Sequence, residues 1–218
     1  MEIIKSQKGF LTILTGKTDM GKSTITVYDC SEQLRRGKNV IFFEYEYCQS
    51  IIYNKLISHF GMKWQDLFRL NLVDAAGLSL EMLIEFIKTK KENLDIVYID
   101  YLDLLRNATY QGTDKGDEKE MEHVQAIVKE LARVASELDI EIVLLSQTGS
   151  ASTLEETVQQ LNEFGSKAKA DNVIKMFIAR GNVIDAKIDI NDISHVILVD
   201  GYDLRHFSTV NFKEIYKD

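Results

Sequence analysis

Short, almost wholly apolar runs alternate along the chain with longer segments whose apolar residues recur every three or four positions. Phe10–Thr15, Asn39–Phe43, Asp95–Asp100 and Glu141–Ser146 have the length of strands and lack the polar alternation of a half-exposed one, so they predict buried strands. Asn71–Asp74 is a shorter strand candidate, and Val173–Ala179, His195–Val199 and Phe207–Phe212 complete the set. The last two predict a hairpin around Asp200-Gly201. The helical segments are Lys22–Arg36, stopped by Gly37; Ile51–Phe60, capped by Ser50 and stopped by Gly61; and Leu80–Lys90, capped by Ser79. Trp64–Phe68 predicts a short helical turn. Met121–Leu138 is the longest helix, with Val124, Ile127, Val128, Leu131, Val134, Ala135 and Leu138 on one stripe. Thr153-x-x-Glu156 is a capping box opening a further helix to about Phe164, before Gly165. Strands alternating with helices predict an α/β fold: a mostly parallel sheet covered on both faces, with ligands at the carboxyl ends of the strands. The polar stretch Asn107–Lys119 and the segment Thr148–Ser152 read as functional loops. The 218 residues read as one domain spanning 1–218.

The first apolar run leads into Gly16-x-x-x-x-Gly21-Lys22-Ser23 and then a helical segment. That spacing in a strand–loop–helix context is the phosphate-binding loop. Gly16 and Gly21 let the backbone curl so that N–H groups point inward at phosphate oxygens, and the helix beginning at Lys22 adds the positive end of its dipole. The candidate nucleotide-binding set is Gly16, Lys17, Thr18, Asp19, Met20, Gly21, Lys22, Ser23 and Thr24. Lys22 is expected to reach the β- and γ-phosphates of ATP, and Ser23 to offer its hydroxyl to Mg²⁺. Lys17-Thr18 is a decoy for this role, because no glycine-rich arch precedes it at the right distance.

Other strand ends carry matching chemistry. Asp100 closes the run Ile96–Ile99 and is the expected carboxylate partner of Mg²⁺. The segment VIFFEYEYCQS offers Glu44 and Glu46 as groups to orient an attacking water, and strand parity alone does not choose between them. Gln147, at the end of EIVLLSQ, is a candidate sensor of the γ-phosphate. The basic residues of the second half are Lys167, Lys169, Lys175 and Arg180, of which Lys167 and Lys169, flanking a glycine-containing loop, are candidate contacts to a nucleic-acid backbone. His59, His123, His195 and His206 are scattered and read as structural.

Composition limits the picture more than it fills it. A net charge of −8 argues against blanket adhesion to nucleic acid or anionic lipid, while leaving room for a local basic groove. Cys30 and Cys48 have neither a C-x-x-C nor a zinc spacing, which fits a reducing setting. No apolar stretch approaches the ~18 residues of a membrane span. The N-terminal MEIIKSQKGF lacks a signal-peptide core, so the expected location is the cytoplasm, or a host's cytoplasm for a viral protein. Proline is absent, and nothing in the sequence accounts for that.

Together these motifs resemble the RecA-type ATPase core of DnaB-family replicative helicases. TGKTDMGKST is similar to that family's phosphate loop, including Met20 before Gly-Lys. VIFFEYE resembles its strand ending in the catalytic glutamate, an alignment that selects Glu46. VYIDYLDLL is close to its Asp-Tyr-Leu-Gln-Leu segment and makes Asp100 the Walker B carboxylate. LDIEIVLLSQ resembles its Ser-Gln strand, with Gln147 as phosphate sensor, and GSKAKADNVIKMFIAR is similar to its Asp-Ala-Asp…Phe-Ile-x-Arg stretch. The resemblance runs from about Gly9 to Phe212. It implies a RecA-like P-loop NTPase fold with a C-terminal antiparallel hairpin, and the use of ATP and Mg²⁺. It also implies ATP held between subunits of a homo-oligomeric ring, single-stranded DNA held by Asn107–Lys119 and the region from Thr148 to Lys169, and association with other replication proteins.

Three features differ from the family pattern. The sequence opens almost at its first strand, where family members carry a further N-terminal domain and a linker helix. VILVDGYDLRHF places Asp200 near the family's Lys-x-Arg, with Arg205 after the turn as the remaining candidate finger. Thr148-Gly149 follows the Ser-Gln strand in place of an Asn-Arg pair. The first expectation is therefore a helicase-like ATPase acting on single-stranded DNA in replication or recombination. The alternative is a stand-alone, nucleotide-gated DNA- or protein-binding paralogue with weak or no helicase activity, and a recombinase-like filament former ranks third.

Overall fold

The computed structural model describes residues 4–18, 20–110, 117–147, 171–180, 195–199 and 207–211. Eight strands form one sheet: β1 (Leu11–Gly16), β2 (Val40–Glu44), β3 (Leu70–Asp74), β4 (Ile96–Asp100), β5 (Glu141–Gln147), β6 (Val173–Arg180), β7 (His195–Val199) and β8 (Phe207–Asn211). Their order is β3-β2-β4-β5-β1-β6-β7-β8. Every pairing is parallel except β7 with β8, which is antiparallel. The α/β expectation and the terminal hairpin both hold. The hairpin's turn, around Asp200-Gly201, lies outside the described residues, as does the helix expected from Thr153 to Phe164.

Strand parity explains why the runs are apolar throughout. Leu11, Ile13, Ile41, Phe43, Val97, Ile99, Ile142 and Leu144 face one core. That core is completed by α3 (Leu80–Thr89), α4 (Leu102–Thr109) and α5 (Asp117–Leu138). Their neighbours Leu14, Val40, Phe42, Ile96, Tyr98, Val143 and Leu145 face the other core. There they meet α1 (Lys22–Arg35) and α2 (Gln49–Asn54), which continues as a π-helical stretch, Lys55–His59. Both faces of the central strands are removed from water, so no polar alternation survives in their sequence. All the predicted α5 stripe except Leu138 is buried, and Leu138 packs at its margin.

Two expectations need correction. Residues Leu102–Thr109 form α4, so the interruption read as Asn107–Lys119 is shorter, and Asp117 already belongs to α5. Leu102 and Leu105 are buried against the sheet, and Arg106 pairs with Glu120 at 2.9 Å, which binds α4 to the start of α5. The cap of α2 is Cys48 rather than Ser50: the Cys48 carbonyl accepts the Ile51 N–H at 2.9 Å, and the Gln49 amide donates to Leu72 O at 3.0 Å, so the helix starts earlier. Lys175, one of the basic residues of the second half, is buried within β6. Ser79 caps α3 as expected, accepting from the Met82 N–H.

One buried polar contact ties α1 to the sheet. The Tyr98 hydroxyl, on β4, donates to Asp29 Oδ2 on α1 at 2.6 Å, and both residues are almost fully buried. Removing this donor takes a hydrogen bond away from a buried carboxylate. Tyr98→Phe is expected to lower unfolding stability by about 1–3 kcal/mol, read from chemical denaturation of the two proteins.

Candidate functional site

Parallel strands end on the same edge, and the register here aligns their last side chains. Gly16 on β1 is level with Gln147 on β5, and Glu44 on β2 is level with Asp100 on β4. By parity with Leu14, Val143, Phe42 and Tyr98, all four lie on the α1 side of the sheet. The N-terminus of α1 meets them there. Gly21, its N-cap, sits in the left-handed region (φ 88°), and no side chain caps the helix. The N-terminus of the helix thus faces the strand edge in an orientation that suits an anion.

A cleft of about 280 Å³ opens at this point, lined by Thr18, Gly21, Lys22, Ser23, Thr24, Glu46, Tyr47, Lys55, Asp100 and Gln147. Lys22 is 6% exposed and folds inward, its ammonium donating to Gly16 O at 2.8 Å and to Lys17 O at 2.7 Å. The loop is therefore held open by its own lysine. Gly16 itself needs no special φ. Its constraint is space, because a Cβ there would stand 3.1 Å from Ile178 O and 3.3 Å from Ile178 Cβ on β6.

Asp100 is 2% exposed, its carboxylate is hydrogen-bonded to Ser23, and its Oδ2 is buried without a hydrogen-bond partner. Burial pushes its pKa up to about 6, against the pull of the Ser23 bond and the Lys22 and Lys55 charges. A buried carboxylate with an unused oxygen beside a serine hydroxyl is a donor set that fits a hard divalent cation such as Mg²⁺.

The two glutamates part company at the end of β2. The strand stops at Glu44, and residues 45–47 form a bend. Glu44 is fully buried, and burial with Asp100 alongside pushes its pKa up to about 7. Glu46 is exposed and lines the cleft beside Tyr47. Parity cannot relate two residues once the strand between them has ended.

Of the sequence-predicted residues, Thr18, Gly21, Lys22, Ser23, Thr24, Glu46, Asp100 and Gln147 are brought together. Gly16 and Lys17 contribute carbonyls to the lysine, and Met20 packs against the α1-side core instead of the cleft. Asp19, Lys167, Lys169, Asp200 and Arg205 lie outside the described residues. Sequence reasoning missed Tyr47 and Lys55. Lys55 opens the π-helical stretch beside the buried Leu56, a polar residue at the margin of an apolar face, and that position was its one visible signal.

A family model described as DnaB-like helicase C terminal domain matches residues 60–200. This chain belongs to that family. The match takes in Asp100 and Gln147 of the DnaB-like domain, while the phosphate loop and Glu46 precede it and rest on motif and geometry. The Replicative DNA helicase DnaB of Rickettsia bellii (strain RML369-C) is 37% identical over 95 residues, which are 42% of this chain and 18% of that protein. The chain thus matches less than a fifth of that relative's length. Among solved structures, one described as an ATPase domain superposes with a TM-score of 0.61 at 17% identity, covering 96% of this chain and 84% of that one. A likeness at that identity speaks for the fold, which is RecA-like as expected. Among the described residues no helix is long and apolar enough to cross a membrane.

Gly16→Ala tests the packing of the loop. The added methyl group must push against the backbone of β6, so the expected effects are a stability loss of about 1–3 kcal/mol and at least about tenfold weaker nucleotide binding. Thermal unfolding and calorimetric titration with a non-hydrolysable ATP analogue read the two effects separately.

Proposed function

We propose that this DnaB-like domain binds ATP with Mg²⁺, hydrolyses it, and couples the hydrolysis to movement on single-stranded DNA as part of an oligomer. The observation that carries this reading is the convergence of Lys22, Ser23, Asp100, Glu46 and Gln147 at the uncapped N-terminus of α1. Lys22 exchanges its loop carbonyls for β- and γ-phosphate oxygens, while the first N–H groups of α1 take the rest of the phosphate charge. Ser23 and Asp100 hold the metal, which when bound neutralises charge on the phosphate oxygens. Glu46, on the cleft wall, orients and deprotonates the attacking water. Gln147, at the end of β5, reads the γ-phosphate with its amide. The relative's name, replicative DNA helicase, supports DNA as the polymer.

Two measurements test the proposal. Lys22→Ala is expected to weaken ATP binding by at least about tenfold. Glu46→Gln is expected to keep ATP affinity within about threefold while its turnover falls about 10²–10⁴-fold, the range for loss of a general base. Equal turnover by wild type and Glu46→Gln removes Glu46 from that role. The DNA part is tested by ATPase rate and oligomer size with and without single-stranded DNA. Stimulation together with assembly is the expected result, and a monomer whose rate ignores DNA would overturn it.

A further inference from the structure

The bend that presents Glu46 needs an explanation, because the β-ladder stops just before it. The last ladder contacts at this end of β2 are the Tyr45 N–H to Asp100 O and the Ala75 N–H to Glu44 O, each at 2.9 Å. The next two N–H groups have no strand to pair with. Both go to one carboxylate oxygen: Glu44 Oε1 accepts the Glu46 N–H at 2.9 Å and the Tyr47 N–H at 3.0 Å. A side chain that accepts the N–H groups two and three residues ahead is the device by which Asp, Asn and Ser organise turns. A glutamate with no exposed surface does it here, from a position flanked in register by Asp74 and Asp100.

From this geometry we infer that Glu44 is a positioning residue for ATP hydrolysis: its buried carboxylate fixes the bend that aims Glu46 into the phosphate cleft. The inference rests on the proposed ATPase reading for its kinetic consequences, though not for the contact itself. Its cost argues for such a role. A buried acid beside a second acid is unfavourable on its own, and the second oxygen, Oε2, has no hydrogen-bond partner among the described residues. An apolar residue at position 44 would suit the core better and would leave the two N–H groups of the bend untethered. Glu44 is not placed to act on substrate itself, since it lies beneath the cleft wall that Glu46 and Tyr47 form. Tyr47 shares the tether, because its own N–H donates to the same Glu44 oxygen.

The test compares Glu44→Gln with Glu44→Met. Glutamine keeps an oxygen that accepts the two N–H groups, and methionine keeps the length and loses the acceptor. The readouts are turnover at saturating ATP, affinity for a non-hydrolysable analogue, and amide hydrogen exchange at Glu46 and Tyr47. Glu44→Gln is expected to hold turnover within about fivefold of wild type, and Glu44→Met to lose at least about tenfold with analogue affinity within about threefold. In the wild type the two amides are expected to exchange at least about tenfold more slowly than in an unstructured peptide, although both residues are exposed. Full turnover in Glu44→Met overturns the inference. So does a glutamine variant as impaired as the methionine one, or unprotected amides in the wild type. If Glu44→Met does not fold, the glutamine variant and the wild-type exchange rates still decide. A wild type that never hydrolyses ATP defeats the ATPase reading, and amide protection then tests the tether alone.

Discussion

The site depends on parallel strand register. Because β2, β4, β5 and β1 run the same way, with β5 and β1 reaching two residues beyond β2 and β4, residues far apart in sequence finish near one edge and on one side of the sheet. Gly16, Glu44, Asp100 and Gln147 all owe their place to that parity. A slip of one residue in any of these pairings would send the side chain to the α5 side, away from α1. What keeps the register from slipping is the burial of both faces, since a shifted strand would exchange its partners in two cores at once. The chemistry at the edge is thus held by hydrophobic packing some distance below it.

α1 completes the arrangement. Its stripe of Ile25, Cys30 and Leu34 buries it on the sheet, and the Tyr98–Asp29 hydrogen bond adds a directional tie. The helix end that faces the strand edge is the one without a side-chain cap. Such a terminus carries the positive end of the helix dipole and favours an anion at the cleft it lines. Lys22 makes the opposite adjustment, giving its charge to the carbonyls of the same loop. The loop is thereby prepared for an anion, with a helix N-terminus facing the cleft and a cation held on backbone carbonyls of the same loop.

Much of this was legible in the sequence, for identifiable reasons. The strands were visible because burial on both faces leaves unbroken apolar runs, and the phosphate loop because its spacing is set by local backbone geometry. α4 was hidden because the polar Arg106-Asn107 and the residues after Thr109 masked the short pair Leu102 and Leu105. The cap at Cys48 escaped because it is a backbone cap, with no side-chain oxygen to mark it. Lys55 and Tyr47 reach the cleft through tertiary packing of α2 and the bend, which periodicity does not encode. The choice between Glu44 and Glu46 could not be read from alternation, because alternation presumes a strand that in fact ends at Glu44.

That last point exposes a conflict between local and global requirements. A sheet built for stability alone avoids like charges on directly neighbouring strands, and it avoids acids without partners in its core. The pair Glu44 and Asp100 breaks both rules at one register position, and each residue retains an oxygen with no hydrogen-bond partner. Elsewhere in the same strands, Val40 to Phe43 and Ile96 to Ile99, the buried positions are apolar except for the Tyr98 hydroxyl, which has its acceptor. The violations are confined to the one edge where a charged ligand and a reacting water have to be handled. Confinement of that kind is what separates a site from a poorly packed sheet, because a defect has no reason to coincide with an uncapped helix, an inward lysine and the end of the phosphate loop.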